Sequence, residues 1–290
     1  MGRKLALKAF AKANLSLDIT GKTGNMHTID SVMVTLDCFD SVTVSERDDK
    51  DINVVFTNDA SIGADNTAYR AARAVQDRIG GNGWDITVEK GIPVAAGLGG
   101  SSADGAAVLR ALDVLYKLPE RGVNMRALAL EIGSDVPFML TGGIARVRGT
   151  GDDLFFMENK LNIFAVGIMC GEASTKRVYE KFDEMYPQCA LSATDNDKLC
   201  ELILDGDSKA IELAGNALYA PAAALLPDVE KKAALLKSAG AIVNLTGSGG
   251  MLLGLFNDVG KLAECVNRLR GVADFKVFTT AKTGVLHSWL

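Results

Sequence analysis

One stretch constrains this chain more than any other: Pro93-Val-Ala-Ala-Gly97-Leu-Gly99-Gly100-Ser101-Ser102-Ala-Asp104. It follows a short alternating run, Asp85–Val88, and leads into an alanine- and leucine-rich helical pattern from about Ser102 to Tyr116. Glycine lets the backbone adopt positive φ and approach a ligand closely. The first turn of a helix has unpaired N–H groups and the positive end of the helix dipole. Such a strand–loop–helix is suited to a phosphate. An ordinary tight turn with a serine cap fits two or three glycines equally well. Ser101 and Ser102 favour the phosphate reading, because they put hydroxyls where a Mg²⁺–nucleotide complex needs oxygen ligands.

Other nucleotide motifs do not fit. Gly21-Lys22-Thr23 resembles the tail of a P-loop, but Ser16 stands where the first glycine is required and no helical pattern follows. Neither glycine loop contains G-x-G-x-x-G, so a dinucleotide-binding fold is unsupported. The formal net charge is −5 and basic runs do not exceed two residues, which argues against a nucleic-acid partner. No run of 18 apolar residues occurs, so no transmembrane helix is expected. Lys8 and Lys12 interrupt the N-terminal stretch, and Ala6 stands where a myristoylation signal wants Ser or Thr. The five cysteines are scattered, with no C-x-x-C, and read as reduced thiols of a cytoplasmic protein. Two histidines cannot build a His-rich zinc site.

Along the chain, strands are expected at Lys4–Phe10, Asn14–Ile19, Ser31–Leu36, Ser41–Ser45 and Ile52–Phe56. Asp65-Asn66-Thr67 offers a cap for a helix over Ala68–Ile79, and Met125–Ile132 is a further helix. The second half reads as strands at Ile144–Val147 and Asn162–Met169, then helical stretches at Lys176–Asp183, Asp197–Leu204, Ser208–Leu213 and Asp228–Ser238. It closes with strands Ala241–Leu245 and Met251–Phe256, helix Val259–Leu269 and strand Phe275–Phe278, a pattern suited to an antiparallel sheet with helices on one face. The expected boundary falls at Gly149-Thr-Gly-Asp-Asp153, giving domains 1–152 and 153–290.

Five segments, in order, carry a resemblance to the GHMP kinases, ATP-dependent kinases of small alcohols. They are Ala11-Lys12-Ala13-Asn14-Leu15; Gly24-Asn-Met26-His27 with Leu36-Asp37; the glycine loop Pro93–Asp104; Gly133-Ser-Asp135-Val-Pro-Phe138 with Gly142-Gly143 and Gly149-Thr-Gly151; and Thr246-Gly247-Ser248-Gly249. Together they span nearly the whole chain, and their wording is nearest to the branch whose alcohol carries a cytidine diphosphate. The resemblance implies an α+β, two-domain fold, with an N-terminal ribosomal-S5-like α/β domain and a C-terminal ferredoxin-like domain. ATP and the alcohol would meet between them. It also implies Pro93, Ala96, Gly97, Leu98, Gly99, Gly100, Ser101 and Ser102 around the phosphates, with Ser102 near Mg²⁺.

Asp135 matches the family's catalytic aspartate, which takes the alcohol's proton. On the residues alone it reads as a turn residue before Val-Pro. Lys12 matches the early lysine, which would steady that carboxylate and neutralise charge on the phosphoryl group; alone, it reads as a solvated strand end. Asn14 would touch the substrate, or be a turn residue. Asn66 would lie near the adenine, or only cap a helix. His27 would bond the cytosine edge, Tyr179 would lie against that base or in a helix core, and Thr246, Gly247 and Ser248 would close the substrate side. Met26 stands where the branch has an aromatic, Thr20–Gly24 lacks its R-x-D-G wording, and the loop has Ser101 for a frequent third glycine and Ala103 for a second serine. The expected partners are ATP and a small alcohol, with no nucleic acid or membrane, the chain acting as a monomer or weak homodimer. The competing readings are a family kinase for another alcohol, such as homoserine or a sugar, and a non-catalytic nucleotide-binding protein.

Overall fold

The structure is a computed structural model and describes residues 2–59 and 62–289. The chain runs β1 (Lys4–Thr23), β2 (Met26–Glu46), β3 (Ile52–Phe56), α1 (Thr67–Ile79), β4 (Trp84–Glu89), α2 (Gly100–Tyr116), α3 (Met125–Ile132), α4 (Val136–Thr141), β5 (Ile144–Gly149), β6 (Asp153–Met157) and β7 (Phe164–Met169). It continues α5 (Thr175–Met185), α6 (Asn196–Asp205), β8 (Gly215–Asn216), α7 (Tyr219–Leu225), α8 (Asp228–Ser238), β9 (Ile242–Leu245), β10 (Met251–Phe256), α9 (Val259–Leu269), β11 (Lys276–Thr279) and β12 (Val285–Trp289). Leu118–Arg121 and Ser208–Leu213 are 3₁₀ turns, the second standing where a helix is expected.

Two sheets organise the molecule. The larger has the order β12-β1-β2-β4-β3, with β5 bridging β2 to β6 and β8 added along β1. The smaller is antiparallel in the order β11-β7-β10-β9, the ferredoxin-like arrangement. This is an α+β fold with an N-terminal α/β domain and a C-terminal sheet-rich domain. Strands β6 and β12 join the larger sheet from the second half of the sequence.

The first four expected strands are two long ones. β1 and β2 pair antiparallel throughout, with register shifts at Phe10/Ala11, Asn14/Ser16 and Ile19/Gly21. A bulge adds a residue to one strand and bends it without ending the ladder, so the alternation in the sequence breaks while the strand continues. The unexpected α4 begins directly after Asp135, with Pro137 in its first turn, where a missing N–H costs nothing.

Helix α2 is the axis of the N-terminal core. Its Ala103, Ala106, Ala107 and Ala111 are fully buried, and it packs on β1, α1 and α4. Small side chains at these positions let the helix lie close to the sheet, which brings its N-terminus down to β1. Among the described residues no helix is long and apolar enough to cross a membrane.

Candidate active site

A cavity of about 640 Å³ opens where the two glycine loops meet the β1–β2 hairpin. Its walls hold Lys12, Asn14, Met26, His27, Asn66, Pro93, Ala96 to Ser102, Asp135, Tyr179, Gly247 and Ser248. Seventeen expected site residues from seven separate segments therefore share one space. Thr246 is the expected site residue that lies beneath the wall: it is fully buried and braces the loops from behind.

The glycine loop has its shape because the backbones of β1 and the second glycine loop close on it. Gly97 has φ +76°, and a Cβ there would sit 2.2 Å from the Thr246 carbonyl oxygen. Gly99, at φ +71°, caps α2, and a Cβ would strike Met139 of α4 at 2.3 Å and Lys12 at 3.0 Å. Leu98 C=O accepts from Lys12 N–H at 3.0 Å, and the Thr246 hydroxyl donates to Gly97 C=O at 3.2 Å. The loop is thus held between β1 and the second glycine loop, and Gly97 to Ser102 line the cavity at the start of α2. α2 begins at Gly100, so Ser101 and Ser102 lie in its first turn. The Ser101 hydroxyl is engaged by Thr67 Oγ1 at 2.8 Å, whereas Ser102 Oγ makes no hydrogen bond among the described residues.

Lys12 and Asn14 are two apart on β1 and so point to one face. Lys12 is 4% exposed, and its ammonium donates to Asn14 Oδ1 at 2.8 Å and lies 3.6 Å from Asp135 Oδ2. Asn14 Oδ1 also accepts from Gly247 N–H at 3.0 Å, while Asn14 Nδ2 donates to Ser31 Oγ at 2.8 Å. Its amide is spent on holding Lys12 and the second glycine loop in place. Asn216 and Asn244, which no sequence pattern singles out, secure that loop further: Asn216 Nδ2 donates to Leu245 C=O and Gly247 C=O at 2.8 and 2.9 Å, and Asn244 Nδ2 donates to Asn14 C=O at 3.1 Å.

Asp135 occupies the joint between α3 and α4, its side chain more exposed than that of Lys12. Behind it, Gly151 at φ +100° packs on Ser134, where a Cβ would lie 2.7 Å from the Ser134 carbonyl oxygen. Burial and the nearby Asp135 carboxylate hold the Tyr179 hydroxyl above the ordinary phenol range. Asn66 does cap α1, accepting from Tyr69 N–H at 2.9 Å, and lines the cavity as well. Met26 is 55% exposed at the rim.

A buried ion cluster under the glycine loop went unrecognised in the sequence. Lys90 Nζ reaches Asp104 Oδ2 at 2.7 Å and also Asp40 Oδ2, and Asp40 Oδ1 accepts from Gly91 and Ile92 N–H at 2.7 and 2.8 Å. Asp104 Oδ1 is buried without a hydrogen-bond partner among the described residues. Burial, which the Lys90 charge only partly offsets, and the neighbouring Asp40 push the Asp104 carboxyl up to about 8. The available signal was position: Lys90 and Asp104 flank the loop in sequence.

Among the described residues no cluster of three His, Cys, Asp or Glu side chains could hold a metal. Ser102 Oγ, left without a hydrogen bond among the described residues, offers an oxygen beside the glycine loop. That set fits Mg²⁺ arriving with a nucleotide, since Mg²⁺ keeps several waters and takes few protein ligands.

Residues 66–143 match the family "GHMP kinases N terminal domain". The chain is 35% identical to the 4-diphosphocytidyl-2-C-methyl-D-erythritol kinase of Caldanaerobacter subterraneus subsp. tengcongensis, over 94% of this chain and 95% of that one. It is 31% identical to the enzyme of the same name from Alkaliphilus metalliredigens, over 92% and 93%. The crystal structure of a 4-(cytidine 5'-diphospho)-2C-methyl-D-erythritol kinase superposes with TM-score 0.78 at 28% identity, covering 95% of this chain and 99% of the other. A homoserine kinase from Cytophaga hutchinsonii, at 16% identity and TM-score 0.74 over 98% and 97%, shares the fold. The chain belongs to the GHMP kinases, in one family with the 4-diphosphocytidyl-2-C-methyl-D-erythritol kinases, and is an ATP-dependent kinase.

Proposed function

We propose that this kinase phosphorylates a hydroxyl of 4-diphosphocytidyl-2-C-methyl-D-erythritol. The observation that carries the reading is the position of the Lys12–Asp135 pair, at 3.6 Å, in the same cavity as the glycine loop and the side chains of His27 and Tyr179. Asp135 accepts the hydroxyl proton, the freed oxygen attacks the γ-phosphorus, and ADP leaves. Lys12 keeps Asp135 anionic and balances charge on the phosphoryl group. The amides of Gly97 to Ser102 hold the nucleotide phosphates, and Asn66 lies toward the adenine. Ser102 would help hold Mg²⁺ brought in with ATP, and that ion would supply charge neutralisation at the phosphates. Most of the acceleration comes from positioning and charge compensation.

Asn14, Met26, Gly247 and Ser248 line the alcohol side, with Thr246 supporting them from below. We assign residues 1–152 as the nucleotide-binding domain and 153–290 as the substrate-side domain, working as a monomer or weak homodimer in the cytoplasm. Coupled ADP release on an alcohol panel tests the reading: turnover on the cytidine-linked alcohol, and little on homoserine, mevalonate or galactose, is expected. A second reading, a family kinase for another alcohol, is favoured by Met26, which offers no aromatic stacking at the rim. Preferential turnover of any other alcohol in the panel would establish it.

A further inference from the structure

A second cavity, of about 840 Å³, shares Pro93 with the candidate active site and is otherwise built from the C-terminal half of the chain. Gly167 to Met169 of β7 and Met251 of β10 line it, together with α8 and the Val272–Phe275 segment between α9 and β11. Met169, Leu235 and Phe275 are only half-buried, so an apolar body placed there would cover surface that the fold leaves wet. Three lysines share the lining. Lys232 is anchored: its ammonium donates to Met169 C=O at 2.6 Å and pairs with Asp228 at 3.1 Å. Lys231 and Lys276 make no ion pair among the described residues, and Asp274 is the one acidic residue in the lining. The cavity is thus cationic on a chain of net charge −5.

Backbone contacts tie this cavity to the glycine loop. Lys276 Nζ donates to Gly91 C=O at 3.2 Å, two residues before Pro93, and Gly91 N–H is fixed by Asp40 Oδ1 at 2.7 Å. Ala95 has φ +55°, a region costly for a residue with a Cβ. Gly250, next to Met251, packs so closely that a Cβ there would lie 1.9 Å from the Ala95 carbonyl oxygen. We propose that the cavity binds an amphipathic organic phosphate, an apolar chain ending in a phosphomonoester, and that its occupancy weakens ATP binding. The chain covers Met169, Leu235 and Phe275, and the head takes Lys231 and Lys276. Lysine serves phosphate as a point charge, and a dianion gains more from two ammonium groups than a carboxylate does. Drawing Lys276 to the ligand breaks its bond to Gly91. The Gly91–Ala96 segment is then free to relax at Ala95, and the glycine loop that follows it loses its placement. The inference goes beyond the functional reading above and is independent of which alcohol is phosphorylated.

The probe is octyl phosphate, titrated into the full chain by calorimetry beside octan-1-ol, octanoate and inorganic phosphate, with ATP binding measured in its presence and absence. Octyl phosphate should bind about tenfold or more tighter than the other three. It should raise the Kd for ATP about fivefold or more, to a limit that further probe does not exceed, and saturating ATP should weaken octyl phosphate by the same factor. Ala234→Trp fills the cavity from α8 and should weaken octyl phosphate about tenfold or more, while the Kd for ATP alone holds within about twofold. Lys231→Met, on the surface, should weaken it about threefold with a native melting temperature. Lys276→Met should raise the Kd for ATP by itself and leave it insensitive to the probe. The site is wrong if octyl phosphate does not bind, if Ala234→Trp and Lys231→Met both leave its affinity intact, or if the Kd for ATP climbs without limit as with a competitor. Octanoate binding as tightly as octyl phosphate would overturn the phosphate head, and a saturated site with an unchanged Kd for ATP would overturn the coupling. None of these results bears on the alcohol, so this inference and the functional reading fail separately.

Discussion

Lys12 and Asp135 face each other across 3.6 Å, one carried by a buried strand and the other by the joint between two short helices. Lys12 is also bonded to Asn14 at 2.8 Å, so the ammonium is placed before any substrate arrives. Asp135→Asn preserves shape and removes the proposed base. We expect kcat to fall by about 10²–10⁴-fold, with the melting temperature and KM for ATP nearly unchanged, as read by steady-state kinetics and thermal denaturation. Turnover equal to wild type would exclude Asp135 as the base.

Asn14 ties Lys12, Ser31 and Gly247 together through a single amide. Asn14→Ala leaves those buried partners short of a bond, at about 1–3 kcal/mol for each group left unpaired. Both stability and kcat should therefore fall. Urea denaturation alongside kinetics checks this, and a variant with native stability and activity would contradict it.

Gly97 combines φ +76° with a Thr246 carbonyl 2.2 Å from where a Cβ would be. Gly97→Ala should push the two glycine loops apart. We expect a loss of at least ~1 kcal/mol and a higher KM for ATP. Gly24, equally positive in φ but open to space, should tolerate alanine with its conformational cost alone and normal kinetics.

The Lys90–Asp40–Asp104 cluster sets a pH dependence. Asp104 is raised by burial and by Asp40 to about 8, above an unfolded value of about 3.9. Between those values the folded chain binds more protons than the unfolded one, so this group's contribution to stability declines as pH rises from about 4 to about 8. Asp104→Asn should flatten that slope in melts taken from pH 5 to 8, at little cost. Lys90→Met leaves two buried carboxylates without a cation and should cost about 3 kcal/mol or more. An unchanged slope in Asp104→Asn would refute the assignment.

Much of the site was legible because its chemistry is local in sequence. A glycine loop before a helix is a phosphate feature by its own geometry, and Gly97 to Ser102 line the cavity as expected. The segments around Lys12, Asp135 and Gly247 were readable through the family resemblance, not through their own patterns. Bulges hid the length of β1 and β2, since each one interrupts the alternation that marks a strand. The unexpected α4 has only six residues, too few to show a helical period. The Lys90 cluster, and the contacts of Asp183 with Lys22 and His27, join residues up to 161 positions apart, and no pattern in the sequence links them.

The sequence by itself determined the glycine loop ahead of a helix, the five ordered segments of a GHMP kinase and the α+β plan, because glycine placement, hydrophobic period and motif order are properties of neighbouring residues. Only the tertiary structure decided that Asn14 spends its amide on Lys12 and Gly247, that Thr246 supports the loop instead of lining the cavity, and that Asp183 contacts both His27 and Lys22. Those outcomes depend on which buried donors and acceptors come within bonding distance once two sheets pack, and burial makes an unmade bond costly enough to fix each partner.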